Sequence, residues 1–198
     1  MPRAKQRTPA LRDHLLRVAL ETLRDDGVSG FTTRKVAERA STSIPAVYEL
    51  FGDRAGLVRQ MFFEGFRTLA GRFAEVTDSD DPRSDLLGVF ALFRTFVHAN
   101  PALAEVMFSR PFADFDPGPD DLQAGTTVRE FIVRHVRRCV DAGQTVGDAT
   151  DIAHVLLAVA QGLASQESAG WLGTSRASIN RRWSLAFRSV LRGLEPPP

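Results

Sequence analysis

A single cysteine, Cys139, stands in a chain of 198 residues, so no internal disulfide framework can form. That usage fits a reducing compartment, and a cytoplasmic location is expected. Lysine is almost missing as well: two of the 25 basic residues are lysine and the rest are arginine. No apolar run comes near the roughly 20 residues that span a bilayer. The longest, residues 152–160, is interrupted by His154, and no membrane partner is expected. The start, M-P-R-A-K-Q-R-T-P, is basic with no apolar stretch behind it, so no secretory signal is expected. No alternating strand pattern and no internal repeat is visible. H-E-x-x-H, G-x-S-x-G, a G-x-x-x-x-G-K phosphate loop and a dinucleotide fingerprint are all missing. The histidines at 14, 98, 135 and 154 show no metal-ligand spacing, and Cys139 sits on an apolar helix face, where a thiol is inert. The chain is therefore expected to be no enzyme, with no metal and no cofactor.

What is present is a balanced globular composition, 43% hydrophobic and 25% charged, with a net charge of only +1. The charge is unevenly spread. Residues 1–60 hold 11 Lys+Arg against 7 Asp+Glu, a balance of +4, and the remainder holds 14 against 17, a balance of −3. A small basic domain joined to a larger, mildly acidic one suits a nucleic-acid reader with a separate regulatory body. A difference of this size also arises by chance, so the charge supports that reading without establishing it.

Helical periodicity runs through the chain. Residues 1–8 read as a basic arm. Residues 9–26 form a first helix on Leu15, Leu16, Ala19, Leu20 and Leu23, ending at Gly27, and Phe31 is placed to plug the core that follows. Asp53 can cap a long helix over 54–76 that carries Leu57, Val58, Met61, Phe62, Phe66, Leu69 and Phe73. Residues 77–82, T-D-S-D-D-P, read as a solvated linker; no calcium-loop spacing follows its carboxylates. Further helices are expected over 84–99, 101–110, 122–142, 149–168 and 175–194. The stretch 109–121, with three prolines, reads as an exposed loop. Helix 149–168 is apolar on nearly every side, which implies burial on two faces. The fold class is all-α, with nine helices.

The most informative stretch is 32–57, T-T-R-K-V-A-E-R-A-S-T-S-I-P-A-V-Y-E-L-F-G-D-R-A-G-L. Val36, Ala37 and Ala40 form one short helical stripe, which Thr32 or Thr33 can cap; Val47, Leu50 and Phe51 form a second, with Ser43 as cap and Pro45 in the first turn. Ser41-Thr42 between them leaves room only for a helix-turn-helix corner. Turning those stripes inward leaves Thr33, Arg34, Ile44, Pro45, Ala46 and Tyr48 facing solvent. These are short, mostly uncharged residues, as a helix needs to enter a major groove about 12 Å wide. A plain packing corner shares the same spacing.

This stretch resembles the DNA-binding domain of the TetR family of bacterial transcriptional repressors, through Thr33, Val36-Ala37, Ala40, Ser43, Tyr48, Phe51 and Leu57. The resemblance is specific over roughly residues 10–60. Ser41-Thr42 replaces the usual Gly-Val turn, Leu50 stands where His or Tyr is common, and Arg54 replaces a lysine. The resemblance implies a three-helix DNA-binding domain, 1–53, and a six-helix ligand-binding and dimerisation domain, 54–198. It implies a homodimer formed by helices 149–168 and 175–194, binding a palindromic double-stranded operator with reading helices roughly 34–36 Å apart. Arg34, Ile44, Pro45 and Ala46 are then candidates to read base edges, and Thr33, Ser43, Tyr48 and Arg54 to hold phosphates.

In this family the helices of the larger domain enclose an inducer site. Phenylalanines at 62, 66, 90, 93 and 131, with Val97, His135 and Gln161, are the candidate contacts for a small hydrophobic or aromatic effector. Arg94 and His98 are further polar candidates, Arg94 being read as solvent-facing. Phenylalanine at helical spacing is also ordinary core. A DNA-binding architectural protein with no effector is the competing reading.

Overall fold

A computed structural model describes residues 9–197; the basic arm expected over 1–8 lies outside the described residues. Among the described residues there is no strand. The helices are α1 (Pro9–Gly30), α2 (Thr33–Arg39), α3 (Ile44–Phe51), α4 (Arg54–Ala74), α5 (Pro82–Ala99), α6 (Pro101–Phe108), the single turn α7 (Pro119–Leu122), α8 (Thr126–Asp141), α9 (Ala149–Ser168) and α10 (Arg176–Gly193). Leaving α7 aside, nine helices stand among the described residues, as the periodicity predicts.

Short polar side chains start these helices by accepting the free N–H groups of the first turn. Thr32 Oγ1 accepts from Lys35 N at 3.2 Å, Ser43 Oγ from Ala46 N at 3.3 Å, and Asp53 Oδ1 from Gly56 N at 2.7 Å. Asp148 accepts from Thr150 N and Asp151 N, and Ser175 from Ser178 N. The cap of α2 is thus Thr32, of the two threonines that sequence allows.

The described residues pack as two compact units. The first holds the chain up to Arg67 together with Asn100–Ala124; the second holds Thr68–Ala99 and Gly125 onward. This partition differs from a division at 53/54, because the start of α4, all of α6 and the segment after it pack with the helix-turn-helix. In the first unit, Leu15, Val18, Ala19, Leu23, Phe31, Val36, Ala37, Val47, Phe51, Leu57, Val58, Met61 and Phe62 form one core with Val106, Phe112 and Phe115. Helix α6 lies against α1. It also lies close to α4: a Cβ on Gly65 would fall 2.5 Å from Met107 Sδ. The second unit buries Leu69, Phe73, Leu86, Val89, Phe90, Phe93, Ile132, Val136, Leu156, Ala160, Phe187 and Leu191.

Two sequence expectations need adjustment. The stretch 109–121 is largely exposed, as expected, but Phe112 and Phe115 within it are only 4% and 3% accessible. Their rings lie against Phe31 and Phe62, with centroids 5.6 Å apart in both pairs. The linker after α4 is exposed, as expected, and is tied down at Ser79: Asp85 of α5 accepts from Ser79 N at 2.8 Å and Ser79 Oγ at 2.6 Å. The helix expected over 122–142 begins only at Thr126, because Pro119 starts a separate turn that Asp121 closes by accepting from Gly118 N.

The helix-turn-helix corner carries a backbone cost. Ser41 has φ +52°, a left-handed conformation that a side chain disfavours and glycine tolerates. Ser41→Gly is expected to stabilise the first unit by about 0.5–1 kcal/mol in urea unfolding. A loss of stability of that size would show that contacts of the Ser41 side chain outweigh the relief of φ.

Candidate nucleic-acid interface and effector residues

The two short helices of the corner are held by their apolar stripes, and α2 also by the acids Asp25 and Asp26, Asp25 lying 3.6 Å from Arg39. Asp26, at the end of α1, accepts from Lys35 Nζ at 2.9 Å and Arg39 Nη2 at 3.0 Å. The Lys35 hydrogen bond in particular holds its carboxyl below the usual range. With α2 stapled in this way, Arg34, Pro45 and Tyr48 stand exposed, with Ser43 at the cap of α3. Ala46 is half-buried, and half-buried Ile44 packs against the core. Arg34 reaches Glu38 one turn along α2, Nε to Oε1 2.8 Å, with both side chains well exposed. An i,i+4 pair this exposed is weak, so Arg34 can leave Glu38 at small cost.

Two of the expected DNA-facing residues are placed differently. Thr33 is buried, not solvent-facing, and its Oγ1 has no hydrogen-bond partner. The reason is register: 33, 36, 37 and 40 share one helical stripe, and that stripe faces the core. Arg54 is engaged by a segment that sequence treats as distant. Its Nη1 donates to Asp114 Oδ1 at 2.8 Å, and its guanidinium lies 4.7 Å from the ring centroid of Phe112. Arg59, one and a half turns on, repeats the pattern with Asp121 at 2.9 Å and the ring of Phe115 at 5.6 Å.

The effector candidates fall into separate groups. In the first unit, Phe62 meets Phe66 at 5.0 Å and Phe115 at 5.6 Å, and Phe66 meets Phe108 at 5.8 Å, so these rings form an aromatic cluster. In the second unit, Phe131 lies 5.1 Å from Phe73 and 4.4 Å from the imidazole of His135. Phe90 packs on Phe187 at 4.7 Å. Phe93 and Val97 are buried on α5, and Gln161 is half-buried on α9.

His135 is fully buried, and its Nδ1 lies 2.9 Å from Phe131 O. Its Nε2 comes within 3.2 Å of Asp78 Oδ1 but without hydrogen-bond geometry, which leaves it an unsatisfied buried nitrogen. Asp78 is itself paired with Arg134 at 2.6 Å and Arg138 at 3.3 Å. Burial pushes its carboxyl up, but those arginines outweigh it and hold it below the usual range. Cys139 is buried, and burial pushes its thiol up, as expected of an inert cysteine.

Arg94 is not solvent-facing. It grips Glu167 through Nε and Nη2 at 2.8 and 2.7 Å, donates to Asn180 Oδ1 at 2.8 Å, and lies 5.1 Å from the Trp183 ring. Glu167 also accepts from Trp183 Nε1 at 2.7 Å and lies 2.6 Å from His98 Nε2. The desolvated Glu167 carboxyl is pushed up by burial, but this ring of donors brings it below its ordinary value. Sequence offered one signal for the cluster: Arg94 and His98 stand at i and i+4 on one face of α5, a paired arrangement of donors that calls for an acceptor.

Asp85 gives this unit a measurable acid limit. The hydrogen bonds from Ser79, then that from Arg138, lower its pKa from 3.8 to about 2. A depressed carboxylate stabilises the fold above its unfolded pKa, and the contribution is lost as pH falls through the folded one. Asp85→Asn should therefore leave the acid-unfolding curve flatter between about pH 4 and pH 2 than in the wild type. An unchanged slope in a circular-dichroism titration would show that the linker clasp does not couple to folding.

The geometry agrees with what comparison with known proteins finds. Residues 15–61 match the model described as "Bacterial regulatory proteins, tetR family". Residues 86–190, more than half of the chain, match "Tetracyclin repressor-like, C-terminal domain". The class C tetracycline repressor protein of Escherichia coli is 32% identical over 139 residues, a match that spans 70% of this chain and 58% of that repressor. A Rhodococcus sp. RHA1 protein of unknown function superposes with a TM-score of 0.80 at 26% identity, covering 98% of this chain and all of that one. A tetR-family regulatory protein from Rhodococcus RHA1 superposes at 0.70 with 16% identity, over 96% of this chain and all of that one. Two family models in the order of the two functional regions, on a helical fold that starts with a capped helix-turn-helix, place this chain in the TetR family of bacterial transcriptional regulators.

Proposed function

We propose that the protein is a ligand-responsive repressor that binds a palindromic operator as a homodimer and is released by a small hydrophobic or aromatic effector. The observation that carries this reading is the α2–α3 corner. Its apolar stripe is buried, both helices are capped, and Arg34, Pro45 and Tyr48 project from its outer face. Arg34 can bridge G through O6 and N7, and Ala46 or the exposed edge of Ile44 can pack on a thymine methyl. Ser43, Tyr48 and Arg54 contact phosphates, which fix register without carrying sequence information. Thr33, being buried, supports α2 from below.

The dimer is proposed through α9 and α10. Val155 is 51% and Leu185 62% accessible, large apolar side chains left uncovered on two helices whose other faces are buried. A second copy would cover them by twofold symmetry and set the spacing of the two reading helices. Effector contacts are proposed in the second unit, among Phe90, Phe93, Val97, Phe131, Gln161 and His135, which offers a buried Nε2 without a hydrogen-bond partner on a ring 4.4 Å from that of Phe131. The relative at 32% identity is named for tetracycline, which supports an aromatic effector class. Release would follow if effector binding favours a state in which α4, shared by both units, carries the head, α1 with the helix-turn-helix corner, away from its operator register. A regulator of this kind works where the chromosome is, in the cytoplasm.

Purified protein incubated with random duplexes is expected to enrich a palindrome, and effector candidates are expected to lower its affinity for that palindrome. Enrichment of no motif, with binding lost at moderate salt, would leave only electrostatic contact and favour the architectural reading. On the recovered operator, Arg34→Ala is expected to cost about 1–3 kcal/mol and to relax one base position in each half-site. An equal loss on operator and random DNA would show that Arg34 grips phosphate.

A further inference from the structure

We infer that Asp114 and Phe112 are positioning residues for DNA binding: they hold the Arg54 guanidinium in the pose in which it meets a phosphate. The inference rests on the proposed DNA-binding function. It goes beyond that reading by giving the segment between α6 and α7 a part in operator affinity.

The geometry favours a held cation over a neutralised one. The Arg54 side chain is about one-third exposed (35%), so it keeps access to solvent. Asp114 takes a single donor, Nη1, at 2.8 Å, and does not form the two-donor fork that would occupy an edge of the guanidinium. Phe112 lies under the plane at 4.7 Å and is itself fixed, 4% accessible, against Phe31 of the head. A long arginine loses side-chain entropy on binding, up to ~2 kcal/mol if it starts free. An arginine already restrained on a rigid ring loses less on meeting a phosphate. Arg59, Phe115 and Asp121 build the same arrangement farther along α4, with the Asp121 side chain only 12% accessible, so the segment is anchored at two points. Its two ends continue into α6 and, through Gly125, into the second unit.

Charge and positioning predict opposite signs, which makes the test decisive. If Asp114 only cancels the charge of Arg54, removing it should tighten DNA binding. If it positions Arg54, Asp114→Ala should weaken binding about three- to tenfold on operator and random DNA alike, and lower the slope of log affinity against log salt by roughly 1. Asp114→Asn, which keeps an oxygen acceptor, should restore wild-type affinity. In an Arg54→Ala background Asp114→Ala should cause no further loss, because the pair acts as one unit. Phe112→Leu, which keeps apolar volume but removes the ring face, should reproduce the Asp114→Ala loss, with thermal unfolding run beside each variant to separate it from a folding defect. Tighter binding by Asp114→Ala, or losses that multiply in the double variant, would overturn the inference. Wild-type affinity in Arg54→Ala would overturn it while leaving the DNA-binding reading intact; failure of the wild-type protein to enrich any duplex would remove both.

Discussion

The helix-turn-helix head depends on two phenylalanines that come from outside it in sequence. Phe112 lies on Phe31 and Phe115 on Phe62, each pair 5.6 Å between centroids. Burying a ring of this size is worth roughly 1.5–3 kcal/mol, and an edge contact with another ring adds about 0.5–1.5. The ion pairs beside them, Arg54 with Asp114 and Arg59 with Asp121, are partly exposed, and pairs of that kind contribute about 0–1 kcal/mol. The rings therefore hold the segment down, and the ion pairs set its direction. One long helix and two short ones give a core too small to be robust alone; α6, the start of α4 and the inserted rings enlarge it.

The second unit is held by a different balance. Its helices carry ample apolar surface, yet two nearly buried carboxylates, Asp85 and Glu167, are each surrounded by three or more donors. A buried charge is tolerated only when its oxygens are satisfied, and removing one partner costs more than the pair itself contributes. These clusters fix which residues of α5, α8, α9 and α10 meet, where apolar packing alone would tolerate a slip. Glu167 ties α5 to α9 and α10, the helices proposed to carry the dimer, and Asp85 ties the linker after α4 to α5 and α8. Structural constraint in this unit thus bears on the elements that would have to move together in a response to effector.

The helical architecture was legible because each helix carries its own start signal and stripe. Thr32, Ser43, Asp53 and Asp148 cap where the pattern begins, and Phe31 is buried where a plug was expected. The corner was recognisable from spacing alone, and Ser41 adopts the positive φ that a Gly would have supplied. Thr33 was legible in principle, since it continues the stripe of Val36, Ala37 and Ala40. The insertion of Phe112 and Phe115 was not legible, because two rings three apart in a proline-rich, acidic segment produce no period that a helix or strand could declare. Composition reports the irregular backbone correctly and says nothing of where its side chains go. The partners of Arg54 and Arg94 were hidden for a similar reason: they lie 60 and 73 positions away, and pairing over that distance is decided by tertiary packing.

The most direct test of this account is native-state hydrogen exchange of the Phe115 amide, which donates to Phe112 O at 3.0 Å, followed against denaturant beside amides of α1 and α3. If the inserted segment is part of the head's core, Phe115 and the buried amides of α1 and α3 will exchange through one shared opening, with the same free energy and the same dependence on denaturant. Exchange of Phe115 at a low free energy that is independent of denaturant, while α1 and α3 stay protected, would show a loop that merely rests on the head, and the account of how the head is built would be wrong.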